Sequence, residues 1–283
     1  KVPIAESPDM LSLASRLLSK ADQTVTTTID AKLQRYAYES LRTQLAALAS
    51  QKANAGAALV LNNETGEVLA YVANSGLVED SVWVDGVQAQ RQAGSTLKPF
   101  LYGLAIEKNR LTAASVIDDA PINISTPLGL YVPQNYEHDF KGAVTVRTAL
   151  ASSLNVPAVL TLGKVGVEPF WQLLNDVGFN LQEQADYYGN ALALGGADIT
   201  VWQLANAYRS LANGGVWRDV RLTAKDAGSP SFPEKRILSS QSSFIINTIL
   251  SDRNARSLTF GYENPLATPF WTAVKTGTSK DMR

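Results

Sequence analysis

Ser95 and Lys98 form the pair of residues in this sequence whose types and spacing best suit covalent chemistry. Residues three apart share one face of a helix, so the serine hydroxyl and the lysine amine can meet. A neutral amine beside a hydroxyl can remove its proton and produce a nucleophile. The lysine must first lose its own proton, from a reference pKa of about 10.4, and burial or a second cation would lower that pKa. Gly94 would allow a close backbone approach at the helix start, where free N–H groups can stabilise an oxyanion.

Ser153 and Asn155 form a second polar motif, two residues before Pro157. A helix that runs through Val146 is expected to end here, because the residue before a proline avoids the α region. A serine and an amide on such a turn could face a cleft, where one relays protons and the other holds a substrate carbonyl. The plainer interpretation is a local hydrogen bond at the helix end, which is common for both residue types.

The third motif runs from Lys275 through Thr276 and Gly277 to Thr278, and it continues a strand predicted at 270–275. Because Gly277 has no side chain, an extended peptide could lie close to this strand and add to it through main-chain hydrogen bonds. The two threonines offer hydroxyl groups, and Lys275 a positive field, to a substrate carboxylate. An exposed exit from a strand into a turn is the alternative for this motif alone.

The three motifs occur together and in the order that is typical of penicillin-binding proteins and serine β-lactamases. Beyond them, the sequence resembles the transpeptidase domain of class A, bifunctional penicillin-binding proteins over nearly its whole length. Many class A members have proline before the Gly-Ser pair, whereas this sequence has Ala93. The stretches that carry the resemblance are 27–30, 62–70, 91–100, 133–136, 147–150, 153–158 and 274–279.

This resemblance implies a role for each residue of the first two motifs. Ser95 would be the nucleophile that forms an acyl-enzyme, and Lys98 would be its general base. Ser153 and Asn155 would complete the proton relay and hold the substrate. The implied fold is the α+β transpeptidase fold of penicillin-binding proteins and serine β-lactamases, an antiparallel sheet with helices on both sides and an all-helical part.

The resemblance also implies a binding role for the third motif. Lys275 would supply electrostatic attraction, while Thr276, Gly277 and Thr278 would bind the terminal carboxylate of the substrate. The backbone N–H groups of Ser95 and Thr278 would form the oxyanion hole, where the loss of one donor typically costs about 10²–10³ in rate. No metal ion and no other cofactor is implied.

The implied reaction is acylation of Ser95 by the D-Ala-D-Ala end of a peptidoglycan stem peptide, release of D-Ala, and transfer to an amine of a neighbouring strand. β-Lactam antibiotics would acylate the same serine as substrate mimics. The family also implies a glycosyltransferase domain and a membrane anchor upstream of this chain, and a location at the periplasmic face of the bacterial inner membrane.

Three other functions remain compatible with the same motifs. A DD-carboxypeptidase or a β-lactamase could use the same scaffold, and a β-lactam sensor or cell-wall binding module would acylate without turnover. A class A β-lactamase would need a glutamate that activates water for deacylation. Glu168 and Glu183 follow the second motif, but neither lies in a Glu-x-x-Leu-Asn setting.

Composition excludes several other classes of protein. The chain has 283 residues, of which 45% are apolar, so it can build a sizeable core. Lys plus Arg is 25 and Asp plus Glu is 26, so the basic excess of a nucleic-acid binder is missing. Cysteine is absent, which excludes a thiol nucleophile. A Ser-His-Asp triad would need the single histidine, His138, which we expect to be a solvated loop residue.

The apolar pattern predicts the elements that must position these motifs. Asp30 can cap a helix that reaches about residue 50, and apolar runs at 57–61 and 68–72 predict a β-hairpin. We expect residues 1–50 to be a lead-in with helices and 51–283 to be the transpeptidase domain. Helices are predicted at 98–108, 146–153, 169–177, 200–213 and 239–250, with a loop at 121–142.

The end of the sequence departs from the family pattern. Two more strands and a final helix are expected after the strand that carries Lys275, but this sequence stops at Arg283. A sheet without those strands would expose unpaired backbone edges. We therefore expect the C-terminal remainder to exist as another chain or as a further segment.

Overall fold

The computed structural model of the protein describes residues 10–18, 24–53, 55–73, 84–126, 129–135, 139–224 and 234–279. The chain forms two compact units. Unit 1 comprises Lys1–Gln90, Ile199–Asn213 and Trp217–Lys235, and unit 2 comprises Arg91–Asp198, Gly214–Val216 and Arg236–Arg283. The boundary expected at residue 50 stays a prediction, and His138 lies outside the described residues.

The described residues form groups of helices and groups of short strands. The helices are α1 Leu11–Leu17, α2 Ala31–Ala47, α3 Lys98–Glu107, α4 Val146–Ala151, α5 Asn155–Val165, α6 Val167–Asp176, α7 Ala185–Tyr188, α8 Val201–Ala212, α9 Ser240–Ser251 and α10 Arg253–Phe260. The strands are β1 Ala58–Leu61, β2 Val68–Val72, β3 Arg91–Gln92, β4 Val116–Asp119, β5 Ile124–Thr126, β6 Gly129–Tyr131, β7 Gly142–Thr145, β8 Asp198–Ile199, β9 Val216–Trp217 and β10 Lys235–Arg236. Within these residues, no helix is long and apolar enough to cross a membrane.

Unit 1 is built on the predicted hairpin of β1 and β2, which pair in antiparallel register. Helix α2 packs on β2 and begins where predicted, because the Asp30 carboxylate accepts hydrogen bonds from two N–H groups of the first turn. The Gln34 side chain on α2 exchanges two hydrogen bonds with the backbone of Tyr71, at 2.9 and 2.7 Å. A side-chain amide thus satisfies backbone groups at the edge of the hairpin.

Unit 2 is centred on α3, of which nine of the ten residues are buried. Helices α5 and α9 pack against it, which explains why this helix is apolar on every side. Pro99 stands in its first turn, where the missing N–H would have no helical partner in any case. The predicted helix is confirmed, and Lys98 is its first residue.

Unit 2 also contains two antiparallel strand pairs, one of which contacts α4 and α5. Strand β4 pairs with β7 from Val116 opposite Thr145 to Asp119 opposite Gly142. Strand β5 pairs with β6, so the prediction of a loop throughout 121–142 is wrong. Proline, glycine and asparagine are typical of loops, so the composition of that segment hides strands of only three residues.

The strand predicted at 270–275 and its continuation to 278 are also wrong in the described structure. The segment has no regular secondary structure, and its backbone bond to the rest of the unit is Val274 N–H to Leu250 O, at 3.1 Å. A β-branched sequence becomes a strand only when a second strand pairs with it, and none of the described residues does so here.

Candidate active site

Ser95 lies on a 3₁₀ turn, Gly94–Leu97, directly before α3. The α-helix begins only at Lys98, so Ser95 lies outside it. Because a 3₁₀ helix has three residues per turn, Ser95 and Lys98 still lie on the same side of the chain. The serine is partly exposed, and its hydroxyl forms no hydrogen bond to any described residue. The hydroxyl that the sequence predicts as the nucleophile is therefore free to react.

Glycines let three backbone segments meet at this turn. Gly94 has a φ of 61°, its N–H donates to Gly195 O at 3.1 Å, and a Cβ on it would lie 2.5 Å from Thr278 O. A Cβ on Gly277 would lie 2.8 Å from Cγ2 of Thr96. Glycine has no side chain, so the third motif can run directly beside the serine turn, where a Cβ atom would not fit.

The Lys98 amine is completely buried and has three hydrogen-bond acceptors. Nζ donates to Ser153 O at 2.7 Å, to Leu154 O at 3.1 Å and to Asn155 Oδ1 at 2.7 Å. Three acceptors match the three donors of an ammonium group. A neutral amine has only two donors and one lone pair, so Lys98 can act on Ser95 only after it loses a proton and gives up one of these contacts.

The electrostatic surroundings of Lys98 favour that proton loss. Burial lowers the pKa of Lys98 well below its ordinary value, and the neighbouring Lys275 lowers it further. The Asp119 carboxylate acts in the opposite direction and raises this pKa. The acceptors therefore hold the amine in place, while desolvation and a second cation make its neutral form accessible.

Ser153 connects the two lysines. It follows α4 and has a φ of 59°, a left-handed conformation that typically costs about 1–3 kcal/mol for a residue with a side chain. In this conformation its carbonyl accepts from Lys98, while its hydroxyl accepts from Lys275 Nζ at 2.7 Å. Strain of this kind is concentrated at functional sites, and here it points one residue toward both cations.

Asn155 opens a helix that sequence reasoning missed. The prediction that the preceding helix ends before Pro157 is confirmed, but α5 begins at once, with the proline in its first turn. Asn155 Nδ2 donates to Gln134 O at 2.7 Å, and this bond turns Oδ1 toward Lys98. The amide therefore holds the lysine.

Lys275 is held by two acceptors, Ser153 Oγ and Thr276 O, each at 2.7 Å. Burial lowers the pKa of Lys275 to about 7, so a full positive charge is present only below neutral pH unless an anion binds beside it. The hydroxyls of Thr276 and Thr278 form no hydrogen bonds to described residues, so they are available to a ligand.

Residues of all three motifs line one cavity of about 470 Å³. Lys98 and Lys275 lie beneath its surface, in contact with residues that line it. The structure thus brings all eight candidate residues to one place, while their catalytic roles stay predictions. The lining residues are Ser95, Asn135, Asp139, Lys141, Ser152, Ser153, Leu154, Asn155, Thr259, Phe260, Thr276, Gly277 and Thr278.

The oxyanion hole expected from the N–H groups of Ser95 and Thr278 has suitable donors. Neither N–H donates to a backbone carbonyl of the described residues, and both residues line the cavity. Free N–H groups at the start of a helical turn are what a developing oxyanion requires.

Sequence reasoning gave no role to two buried residues, Asn135 in the cavity wall and Asp119 behind it. Asn135 Nδ2 donates to both carboxylate oxygens of Asp119, at 3.0 and 2.8 Å, and its Oδ1 accepts from the Asn155 N–H at 2.8 Å. Asn135 stands in a stretch that carries the family resemblance, which was an available signal. Asp119 gave no such signal, since an Asp-Asp pair after an apolar run is common in soluble proteins.

Comparison with known proteins assigns the chain to a family. The model of the penicillin binding protein transpeptidase domain matches residues 56–283, and the chain belongs to this family. Among its relatives is penicillin-binding protein 1C of Escherichia coli (strain K12), 33% identical over 98% of this chain and 35% of the relative. Penicillin-binding protein 1F of Bacillus subtilis (strain 168) is 32% identical over 76% of this chain and 29% of the relative. The chain spans about a third of the length of these curated relatives.

Solved structures confirm the fold class. The penicillin-binding protein PonA1 from Mycobacterium tuberculosis matches with a TM-score of 0.68 at 20% identity, over 88% of this chain and 69% of that one. Penicillin-binding protein 1A from Haemophilus influenzae matches with a TM-score of 0.61 at 26% identity, over 71% of this chain and 35% of that one. The α+β transpeptidase fold and the resemblance to class A transpeptidase domains are therefore both confirmed.

Proposed function

We propose that this chain is a peptidoglycan DD-transpeptidase that acylates Ser95 with D-Ala-D-Ala stem peptides and cross-links them. Its membership of the transpeptidase family supports a role in cell-wall synthesis. The proposal that Ser95 is acylated rests on the buried Lys98 amine, which is held by the second motif and lies one 3₁₀ turn from a serine hydroxyl that is free to react.

In the first half-reaction, the neutral Lys98 amine takes the proton of Ser95 as Oγ attacks the carbonyl of the penultimate D-Ala. The N–H groups of Ser95 and Thr278 receive the oxyanion. When the intermediate collapses, the C–N bond breaks and Lys98 returns the proton, directly or through the Ser153 hydroxyl, to the departing D-Ala amine. An ester between Ser95 and the shortened stem peptide remains.

In the second half-reaction, an acceptor amine from another strand attacks the ester. The same relay removes a proton from the amine and returns one to Ser95 Oγ, so the enzyme is regenerated. Before acylation, the terminal carboxylate of the donor would lie against the free hydroxyls of Thr276 and Thr278. This anion would raise the pKa of Lys275 and keep that lysine charged.

Hydrolysis of the ester, as in a β-lactamase, finds less support in the site. Glu168 and Glu183 are exposed and do not line the cavity. Among the described lining residues the carboxylate is that of Asp139, which is paired with Lys141 at 2.5 Å. A base that activates water is thus missing from the described wall, so we expect the adduct formed with a β-lactam to be long-lived.

The wider setting of the enzyme follows from its class. We propose that residues 51–283 act as the transpeptidase domain of a longer protein with a glycosyltransferase domain and a membrane anchor, at the periplasmic face of the inner membrane. The support is the class A character of the matched relatives, whose length is about three times the matched segment.

The direct test is intact mass spectrometry after incubation with a penicillin, followed by peptide mapping of the adduct. We expect one stable adduct on Ser95 and none on the Ser95→Ala variant. A D-Ala-D-Ala peptide with an acceptor amine should then yield free D-Ala and the cross-linked product. Rapid loss of the adduct would indicate a β-lactamase, free D-Ala without cross-linking a carboxypeptidase, and acylation without product a sensor.

A further inference from the structure

A fully buried carboxylate lies behind the wall of the cavity, at the end of β4. Asp119 accepts three hydrogen bonds, two from Asn135 Nδ2 and one from the Lys141 backbone N–H at 2.8 Å, but it forms no ion pair within the described residues. An isolated buried charge is costly. Its exposed neighbour Asp118 has no such surroundings.

Hydrogen bonds lead from this carboxylate to the candidate base. Because an ionised carboxylate only accepts, the amide of Asn135 must turn Nδ2 toward Asp119, which leaves Oδ1 to accept from the Asn155 N–H. The adjacent Gln134 carbonyl accepts from Asn155 Nδ2. Asn155 Oδ1 consequently faces Lys98 Nζ at 2.7 Å. The orientation of each amide is thus determined from Asp119 outward.

Two charges of opposite sign act on Lys98. Lys275 approaches from the third motif and lowers the pKa of Lys98, whereas Asp119 approaches from β4 and raises it. Tyr102 on α3 is buried as well, and burial raises its pKa, so its phenol stays neutral. The charges of Asp139 and Lys141 at the cavity are paired with each other.

We propose that Asp119 and Asn135 are positioning residues for the acylation step: they fix the amide of Asn155, and with it the amine of Lys98, and Asp119 supplies a negative charge that opposes the positive charge of Lys275 at Lys98. This inference rests on the proposed function, because acylation of Ser95 is the step that the positioned amine serves. Neither residue touches the reacting atoms.

The first experiment measures the rate of acylation by a penicillin as a function of pH in Asp119→Asn. We expect the rate to fall about ten- to a hundredfold, as for other groups that orient a functional side chain. The acid limb of the profile should also move to lower pH, because the charge that raises the pKa of Lys98 is gone. Asp118→Asn removes the same charge one residue away and should change neither value. An unchanged rate and acid limb in Asp119→Asn would overturn the inference.

An exchange of the two residues tests the direction of the hydrogen bonds. Asn135→Asp places two carboxylates face to face, and we expect it to acylate at least as slowly as Asp119→Asn. The double variant Asp119→Asn/Asn135→Asp again pairs one amide with one carboxylate, which can accept from the Asn155 N–H. It should recover about tenfold over Asn135→Asp. A double variant as slow as the single one would contradict the proposal, and this comparison holds even if Asp119→Asn alone does not fold.

A titration that needs no acylation separates this inference from the proposed function. The ¹³Cε resonance of Lys98, assigned with Lys98→Met, reports the pKa of the amine directly. We expect a lower pKa in Asp119→Asn than in the wild-type protein and no change in Asp118→Asn. A wild-type protein that forms no adduct would refute the proposed function alone, while equal pKa values of Lys98 in all three proteins would refute the inference alone.

Discussion

Each unit of the molecule buries a cation and holds it with oxygen acceptors, and the two cations differ in the chemistry open to them. In unit 1, Arg209 on α8 is 3% exposed and donates to Asn63 O, to Asn206 Oδ1 and to the carbonyls of Arg218 and Asp219. In unit 2, Lys98 is 0% exposed and donates to two carbonyls and to Asn155 Oδ1.

The difference lies in what burial can do to each side chain. Burial lowers the pKa of Arg209, but a guanidinium keeps its proton in a protein, so the arginine remains a permanent clamp on the hairpin turn. Burial and Lys275 lower the pKa of Lys98 well below its ordinary value, which favours the neutral form of the amine. The oxygen acceptors around Arg209 therefore stabilise unit 1, whereas the similar acceptors around Lys98 in unit 2 hold a side chain that can react.

The substitution Lys98→Met should have the largest effect on chemistry, whereas its two effects on stability oppose each other: three acceptors lose their donor, but the desolvation of a buried amine is no longer required. The nucleophile loses its base, so we expect acylation by a penicillin to slow about 10²–10⁴-fold. Stopped-flow or mass-spectrometric labelling measures the rate, and thermal unfolding checks the fold. A variant that labels Ser95 at wild-type speed would remove Lys98 from the mechanism.

The matching substitution Arg209→Met should reverse that outcome. It leaves the carbonyls of Arg218 and Asp219 without their donor and Asn63 O with Asn213 Nδ2 alone, and we expect the free energy of unfolding to fall by about 3 kcal/mol. Chemical denaturation measures this loss. The acylation rate per folded molecule should stay at the wild-type value, and a slower rate in the folded fraction would contradict a purely structural role.

The two cations also differ in how far sequence reveals them. Lys98 belongs to a short motif, so both its position and its chemistry could be inferred, together with the helix that follows it. Arg209 gave no signal, because its acceptors are carbonyls that come together only in the fold. Asp119 was missed for the same reason: its hydrogen bonds to Asn135, 16 residues away, leave no periodic pattern in the sequence, and only the family resemblance around Asn135 could have pointed to the pair.

Strands were less predictable than helices. The hairpin of β1 and β2 has two apolar runs on either side of a turn that contains glycine, and it was predicted correctly. The segment 270–278 has the composition of a strand, but pairing, which is a property of two segments, decides whether a strand forms. Ser153 could be identified by its motif, whereas its left-handed backbone could not.

Lys275 is a half-buried cation with two acceptors, and Lys275→Met tests the cost of its desolvation. Because its pKa in the folded protein, about 7, lies below the ordinary 10.5, the unfolded state binds more protons between these values, and wild-type stability rises with pH across that window. We expect the variant to gain about 1–3 kcal/mol in free energy of unfolding near pH 7. Urea unfolding should show this gain disappearing as the pH approaches 10.5.

The same variant should move the pH profile of acylation. Lys275 lowers the pKa of Lys98, so its removal should shift the acid limb to higher pH. A gain in stability that persists unchanged above pH 10.5 would show that the lysine charge was not its source.

The smallest expected effects come from a matched pair of truncations, Asn206→Ala and Asn155→Ala, each of which removes one side-chain acceptor from a buried cation. Asn206→Ala should lower the free energy of unfolding by about 1 kcal/mol, because alanine offsets part of the lost hydrogen bond through its helix propensity. Asn155→Ala also loses its bond to Gln134 O and should cost about 1–2 kcal/mol.

The acylation rates should distinguish the two variants, although their free energies of unfolding should be similar. Asn155→Ala frees the Lys98 amine from one of its three acceptors, and we expect acylation to slow about tenfold, since a misplaced base transfers its proton less efficiently. Asn206→Ala leaves Lys98 untouched, so its folded fraction should acylate at the wild-type rate. Equal slowing in both variants would contradict the claim that only the acceptors of Lys98 affect acylation.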